Sequence, residues 1–463
     1  MADAYDVIII GGGSAGENVA GRTAPAGLST AIVEAELVGG ECSYWACMPS
    51  KALLRPGEAL AAVRRVPAAR DAVTGTVDAA RALRARDAFA SHWSDAGQEQ
   101  WVASVGATLI RGWGRLAGEK RVVVAMADGS GSVELEARKA VVLSTGSVAF
   151  VPPIEGLAEA EPWTSREITS AKSVPESLII IGGGVVGLEM AQAWKSLGAA
   201  EVTVLERRTP EDTPLFEPFA LRAVVDSLEA QGIVFRFGCV VAAANRTSDG
   251  VSVTMDNGET LYAQELLVAA GRTGVVDGVG LETVGVDAQR YVKVNDHLQV
   301  EGVDGGWLYA VGDVNGRALL THQGKYQARQ AGDHIRGLDA SAWADNGMVP
   351  AVVFTDPQIG SVGLTERAAR ERGLNVRVVE MGWPVAAAPL HGEHFSGGVK
   401  FVVDEDRRVL VGATFAGPEV GELTHAATIA IVGEVTLDRL WHATPSFPTL
   451  SEVWLRFLEE YGL

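Results

Sequence analysis

One pattern occurs twice in this chain. Residues 5–34 read YDVIIIGGGSAGENVAGRTAPAGLSTAIVE, and residues 178–206 read LIIIGGGVVGLEMAQAWKSLGAAEVTVLE. Each is an apolar strand, a G-x-G-x-x-G turn, a helix-compatible stretch and a second strand ending in Glu. A glycine turn alone says little in a chain with 54 glycines. Here each turn leaves a strand and opens a helix, the context its mechanics need. Gly11 permits the tight turn, Gly13 lets a pyrophosphate approach the backbone, and Gly16 lets helix and strand pack closely. The phosphates then sit on the helix N-terminus at Ser14 and Ala15. Glu34 is placed to accept from a ribose hydroxyl. Gly182, Gly184 and Gly187 repeat the arrangement, with Val185 and Val186 opening the helix and Glu206 ending the strand. An acidic residue there favours a free 2′-hydroxyl and hence NADH. Arg207 and Arg208 follow at once and offer a clamp for a 2′-phosphate instead.

Two dinucleotide-binding βαβ units thus make the chain α/β, and the rest is arranged around them. Residues 52–104 are Ala/Arg/Leu-rich with helical spacing, while 121–126 and 133–145 suit strands. The proline-rich stretch 151–162 reads as a linker into the second unit. Within 240–270, VSVTM, DNG and ETLYA form a hairpin pattern. From about 348 the pattern changes to a strand pair around VKFVVDEDRRVLVGATF and an amphipathic helix near 420–432. At roughly 150 residues per domain, a third domain fits there. The net charge of −19 argues against nucleic acid and anionic membrane surfaces as partners. No apolar run approaches the roughly 18 residues of a membrane span. The first apolar run lacks a preceding basic region and a cleavage site, so a cytoplasmic protein is expected.

Three cysteines are too few for a secreted disulfide framework. Cys42 and Cys47 lie in GGECSYWACMPSK, ahead of a segment that reads as helical from about Pro49. A helix N-terminus and nearby Lys51 both favour thiolate over thiol. C-x4-C without a second ligand pair does not suit zinc, and no metal is expected. A redox disulfide fits better. Cys239, far off in sequence, reads as an inert buried thiol.

With these residues in view, the chain resembles the pyridine nucleotide–disulfide oxidoreductases, the flavoprotein group of dihydrolipoamide dehydrogenase, glutathione reductase and mercuric reductase. Gly39, Gly40, Cys42, Cys47, Pro49, Ser50 and Lys51 match the group's GGTCLNxGCIPSK segment. Ser144–Gly146 resembles its ATG turn, Val268–Thr273 its AxGRxPN segment, and Leu308–Asp313 its flavin-ribityl motif. VVFTDPQIGSVGLTE at 352–366 resembles the opening of its dimerisation domain. The resemblance implies a homodimer of two Rossmann-like domains, FAD- and NAD(P)-binding, plus a C-terminal α+β dimerisation domain. The FAD domain would comprise 1–150 and 275–345, the NAD(P) domain 151–274 and the interface domain 346–463. It implies FAD against Glu34, Gly40, Glu41, Cys42, Lys51, Gly114, Thr145, Gly146, Gly271, Arg272, Gly312 and Asp313, and Glu189 near the nicotinamide. Hydride would pass from NAD(P)H to the flavin, and electrons then to the Cys42–Cys47 disulfide. Cys47 would face the flavin and Cys42 a small-molecule acceptor. Exchange needs one thiolate to attack and a neighbour to resolve, which agrees.

The pattern breaks at the C-terminus. The family's HPTxxE supplies a His–Glu pair from the partner subunit, but residues 445–452 read PSFPTLSE. Pro448, Thr449 and Glu452 match, and Phe447 stands where the histidine belongs. A phenyl ring cannot transfer a proton. His442, His391 and His394 are the candidates to replace it; His442 reads first as a surface or interface histidine, a solvated loop explains His391 and His394 equally well, and His322 matches a family segment beside the flavin and reads as structural. Ser43, Tyr44, Trp45 and Ala46 replace the usual Leu-Asn-x-Gly, and Glu41 replaces Thr. Ketopropyl-coenzyme M carboxylase, a relative, also carries Phe at the histidine position but His at the glutamate position. The expectation is an NAD(P)H-dependent flavoprotein cycling the Cys42–Cys47 couple with an atypical acceptor. Thiol-assisted C–S cleavage with carboxylation, quinone reduction directly from the flavin and a non-catalytic scaffold are the alternatives.

Overall fold

The computed structural model describes residues 3–393 and 395–463; His394 lies outside the described residues. The chain divides into two compact units. One comprises Met1–Pro49, Asp87–Phe150 and Gly271–Asp345, the other Ser50–Arg86, Val151–Ala270 and Asn346–Leu463.

In the first unit the strand Asp3–Ile10 lies between Thr30–Glu34 and Ser132–Leu143, parallel to both. Thr108–Leu116 extends the parallel sheet beyond Thr30–Glu34, and Leu308–Ala310 extends it beyond Ser132–Leu143. Val7, Ile8 and Ile9 are wholly buried. Both sheet faces are covered, which is why this strand is an unbroken apolar run and not an alternating one. Helix Ser14–Thr23 packs along helix Thr321–Ile335. The order of the strands leaves a crevice at the carboxyl ends of the two central ones, where doubly wound sheets bind ligands.

In the second unit Ser177–Ile181 lies between Glu201–Glu206 and Glu265–Val268, with Ile233–Phe237 beyond, all parallel. The hairpin pattern folds as expected, Val251 facing Ala263 and Thr254 facing Thr260, and Val241–Thr247 adds a third strand. The C-terminal part builds a five-stranded antiparallel sheet in the order Pro350–Val353, Gln358–Gly363, Val409–Gly417, Gly398–Asp404, Val376–Met381. Its two longest apolar strands are buried throughout. Phe401 stacks on Phe457 of the last helix, Val453–Tyr461, with ring centroids 4.2 Å apart.

Two details differ from the sequence expectation. Residues 151–162 are no free linker: Leu157 and Ala160 are buried and Glu155 bridges to Ala243, so the apolar residues between the prolines outweigh them. The helix after the cysteines starts at Cys47, ahead of Pro49. First-turn N–H groups have no intrahelical acceptor, so a proline there removes nothing the helix uses.

Candidate active site

The two glycine turns repeat each other contact for contact. Gly11 has φ +103° and Gly182 φ +110°, the left-handed region where a side chain is strained. A Cβ on Gly11 would lie 2.3 Å from Ser144 O, and one on Gly182 would lie 2.4 Å from Ala269 O. One on Gly16 would reach 2.1 Å from Gly11 O, and one on Gly187 1.9 Å from Gly182 O. Helices Ser14–Thr23 and Val185–Ser196 follow, with Gly13 and Gly184 as N-caps that offer no side chain to the first N–H groups. Those donors stay available to an anion. Glu34 accepts from Gly12 N at 2.6 Å and Glu36 N at 2.7 Å; Glu206 accepts from Gly183 N at 2.7 Å and Arg208 N at 2.9 Å. Each glutamate thus braces its own glycine turn. Burial pushes the Glu34 carboxyl up, against its backbone hydrogen bonds. We expect Gly187→Ala to force the second helix off its strand at about 1–3 kcal/mol, as overpacking does. Nucleotide binding by this unit should weaken while flavin content, read by absorbance, holds.

Whether the first unit fits FAD can be judged from its cradle. Gly40 approaches Gly13, with a Cβ on Gly40 falling 3.0 Å from Gly13 Cα. Gly114 leaves room for Val33, and a Cβ on Gly312 would lie 3.2 Å from the Ala15 methyl. Thr145 Oγ1 donates to Val275 O at 2.7 Å. Gly146 and Gly271 have open space where side chains would stand. Ser147 Oγ donates to Asp313 at 2.5 Å and accepts from Arg272 Nε at 2.7 Å. Arg272 lies 3.7 Å from Glu41 and 3.9 Å from Asp313. Burial pushes the Asp313 carboxyl up; the Ser147 hydroxyl and Arg272 oppose it. Side-chain-free backbone, two helix-terminal N–H groups and a buried acceptor beside an arginine suit a dinucleotide with a polyhydroxyl chain.

Several residues that hold this cradle went unread in the sequence. Gln327 Oε1 accepts from Gly312 N and from Asn315 Nδ2, both at 2.8 Å. Gln327 in turn donates to buried Asp345 at 2.8 Å, which Gln323 also reaches. These buried polar groups satisfy one another and fix the turn carrying Asp313. Glu17, one turn into the first helix, is raised to about 7 by burial, with Lys325 opposing.

The sulfurs belong to the first unit. Cys42 lies in the short helix Gly40–Tyr44 and Cys47 opens helix Cys47–Arg65. Both are half-buried thiols outside any disulfide, and their side chains are hydrogen-bonded to each other. Thr321 Oγ1 lies 3.2 Å from Cys47 Sγ, a contact the sequence did not suggest. The Cys42 thiol is pushed up, first by its hydrogen bond to Cys47, then by burial and by the Cys47 charge. For Cys42 this runs against the expectation that a helix N-terminus and Lys51 favour thiolate. Cys239 is half-buried, not enclosed, and donates to Arg236 O; burial raises its thiol.

In the second unit Lys51 Nζ donates to Glu189 Oε2 at 2.7 Å, and Glu189 Oε1 accepts from Phe354 N at 3.0 Å. Glu189 is 2% exposed. Lys51 thus neutralises this buried carboxylate and lies 4.8 Å from the Phe354 ring centroid. In the C-terminal loop Phe447 is 75% exposed. Glu452 is buried, with Oε1 bonded to Arg456 and Oε2 without a hydrogen-bond partner among the described residues. His442 and His322 are exposed and His391 half-buried. Among the described residues no His/Cys/Asp/Glu group could hold a metal ion, and no helix is long and apolar enough to cross a membrane.

Comparison with known proteins gives a consistent result. A family model described as pyridine nucleotide-disulphide oxidoreductase matches residues 5–332, and one for that family's dimerisation domain matches 349–456. Dihydrolipoyl dehydrogenase 3 of Pseudomonas aeruginosa is 32% identical, with 98% of this chain and 97% of its own length covered. Dihydrolipoyl dehydrogenase of Haloferax volcanii is 31% identical, with 99% and 96% covered. The crystal structure of LpdA from Mycobacterium tuberculosis has a TM-score of 0.86 at 26% identity, covering 100% of both chains.

Proposed function

The chain belongs to the pyridine nucleotide-disulphide oxidoreductase family, and from that premise we propose that it carries electrons from NADH to the Cys42–Cys47 couple and on to a small-molecule acceptor. It is a flavoprotein disulfide oxidoreductase of the dihydrolipoyl dehydrogenase-like kind, in a family that uses FAD and NAD(P)H. Bound FAD would supply the two-electron relay between the nicotinamide and the sulfurs. We assign its binding to 1–150 and 275–345, through the Gly11–Gly16 turn, Glu34, Thr145, Gly146, Arg272 and Asp313. We assign NADH to 151–274, through the Gly182–Gly187 turn and Glu206, with the Lys51–Glu189 pair at the reacting end. The dimerisation domain (346–463) makes the working form a homodimer, placed in the cytoplasm.

The observation that carries this reading is the contact of Cys42 with Cys47 at a helix N-terminus, with Thr321 against Cys47. The helix terminus and the hydroxyl favour charge on Cys47, and Cys42 keeps the proton until an acceptor arrives. Anaerobic stopped-flow reduction with NADH tests it. A long-wavelength absorption band from thiolate beside flavin is expected, and a protein that never shows the band lacks the dithiol path.

Phe447 favours a second reading, C–S cleavage with carboxylation, because it removes the family's proton donor. Glu452 weighs against it, since the carboxylase relative carries His there. Turnover with lipoamide, other small disulfides and quinones, compared with carboxylation of a thioether substrate, separates the two. The nicotinamide preference has its own test. Arg207 and Arg208 are exposed beside Glu206. Removing the carboxylate in Glu206→Ala leaves these cations unopposed. The NADPH-to-NADH ratio of kcat/KM is then expected to rise about tenfold, equivalent to about 1.4 kcal/mol.

A further inference from the structure

Between Glu206, which braces the second glycine turn, and helix Pro218–Ala230 the chain has no regular structure of its own. This segment, 207–217, carries Arg207 and Arg208 and reaches the glycine turn itself. A Cβ on Gly184, the N-cap of the helix that leaves the turn, would lie 3.8 Å from Leu215 Cδ1. Whatever holds residues 207–217 therefore holds one wall of the place where a diphosphate would meet that helix.

The C-terminal part of the same unit holds it. Arg367 donates to Thr213 O at 2.6 Å. Glu217, the N-cap of helix Pro218–Ala230, is buried; its Oε1 accepts from Glu366 N at 2.7 Å and its Oε2 from Lys400 Nζ at 3.0 Å. Lys400, also buried, stands in strand Gly398–Asp404 and reaches Glu380 at 2.8 Å and Glu366 at 3.4 Å as well. Arg370 pairs with Glu366 from the exposed side at 3.0 Å. Burial opposes the ammonium charge, but the Glu380 and Glu217 carboxylates overcome it and hold the Lys400 pKa above its ordinary value. One cation thus ties three carboxylates from three separate segments. Apolar packing contributes less here. Of Leu215 and Phe216 only the second enters the core, and a cavity of about 220 Å³ opens between residues 214–217 and Ile359, Val362 and Thr414. With that space unfilled, charge-assisted hydrogen bonds decide where the segment lies. Such a latch is all-or-none, because removing one buried partner leaves the other charges uncompensated.

We propose that Lys400 and Glu217 are positioning residues for the nicotinamide dinucleotide: their latch fixes residues 207–217 against the second glycine turn and so sets the affinity for the adenosine half of the ligand. The proposal rests on the assignment of NADH to 151–274 given above. In that assignment Glu206, at the head of the segment, takes the adenosine ribose, while the Lys51–Glu189 pair stands at the other, reacting end. No proton or electron passes through the latch. It acts on the half of the ligand that undergoes no chemistry, so it changes binding and leaves the hydride step alone.

The test uses the FAD-loaded dimer, mixed anaerobically with NADH in a stopped-flow instrument. The concentration dependence of flavin reduction gives Kd, and its plateau gives the rate of the hydride step. In Lys400→Met the Kd for NADH is expected to rise about tenfold, within the range for a residue that acts through its neighbours, and the plateau to match the wild type. 5′-AMP, competing with NADH, should weaken by about the same factor. Nicotinamide mononucleotide should compete as well as before, because it lacks the half of the ligand that meets the segment. Glu217→Gln keeps the shape of the side chain and an acceptor for Glu366 N while discarding the charge. It should raise the same two constants by a smaller factor and again spare nicotinamide mononucleotide; it carries the test if Lys400→Met yields no FAD-loaded dimer. Unchanged NADH affinity in either folded variant overturns the proposal. So does an equal loss of 5′-AMP and nicotinamide mononucleotide, or a fallen plateau, since general loosening of the unit would do both. A wild type whose flavin NADH does not reduce defeats the underlying reading and the proposal with it, whereas a wild type reduced normally beside unaltered variants defeats the latch alone.

Discussion

Cys42→Ser is expected to cut turnover of any disulfide acceptor at least about a thousandfold, the scale seen when a nucleophile is removed from a site that works as a unit. A serine oxygen neither attacks a disulfide at neutral pH nor stores the two electrons as a sulfur–sulfur bond. The substitution removes little else. Cys42 is half-buried, its short helix is anchored by Tyr44, whose hydroxyl donates to Val38 O, and the FAD cradle does not depend on its sulfur. Flavin content and thermal stability should therefore match the wild type. Cys47 should survive as a single cysteine against Thr321, at a helix N-terminus, and relieved of the neighbour that shares its charge. The variant separates the acceptor classes. Quinone turnover that persists in Cys42→Ser belongs to the flavin directly, whereas disulfide turnover that persists would remove the sulfur couple from the reaction path.

The parts legible in the sequence are those set by local chemistry. Gly11, Gly13, Gly16 and Glu34 act within one βαβ unit, so their spacing alone determines the geometry, and the second copy shows the same rule at Gly182 through Glu206. The antiparallel hairpin at 251–263 was legible because a turn tripeptide divides two alternating runs. What stayed hidden depends on contacts between distant segments. Thr321 meets Cys47 across most of the chain, and Gln327 reaches Gly312 only because helix Thr321–Ile335 packs beside the turn. No periodicity marks such a partner. The direction of the Cys42 shift was hidden for a related reason. A helix N-terminus favours thiolate at whichever sulfur it faces, and only the structure shows that Cys47 opens the long helix while Cys42 lies buried beside it in the short helix before. Residues 151–162 misled because prolines signal loops, although Leu157 among them is core. His391 was readable as a histidine near a loop, but not as a neighbour of residues 448–451, which the antiparallel C-terminal sheet brings to it.

Phe447→His is expected to raise kcat for aliphatic disulfides by on the order of 10²-fold, the lower end of what a positioned acid–base group contributes. The surrounding pattern is ready for it. Pro448, Thr449 and Glu452 already stand at the spacing the family uses, and Glu452 Oε2 is buried without a donor among the described residues. An unsatisfied buried acceptor costs about 1–3 kcal/mol, and a histidine N–H that reaches it recovers part of that. The variant should therefore gain stability as well as activity, a pairing that a substitution acting only on chemistry would not give. Phe447 is 75% exposed, so its removal takes almost nothing from the core. Two measurements suffice: thermal unfolding of the FAD-loaded dimer, and turnover of an aliphatic disulfide, each in the variant and the wild type. A gain in stability with no gain in turnover would mean that the new imidazole satisfies Glu452 but does not reach the exchanging sulfur. Turnover and stability both unchanged would mean that proton delivery does not limit this enzyme, and that Phe447 serves instead to keep a proton away, as the carboxylation reading requires.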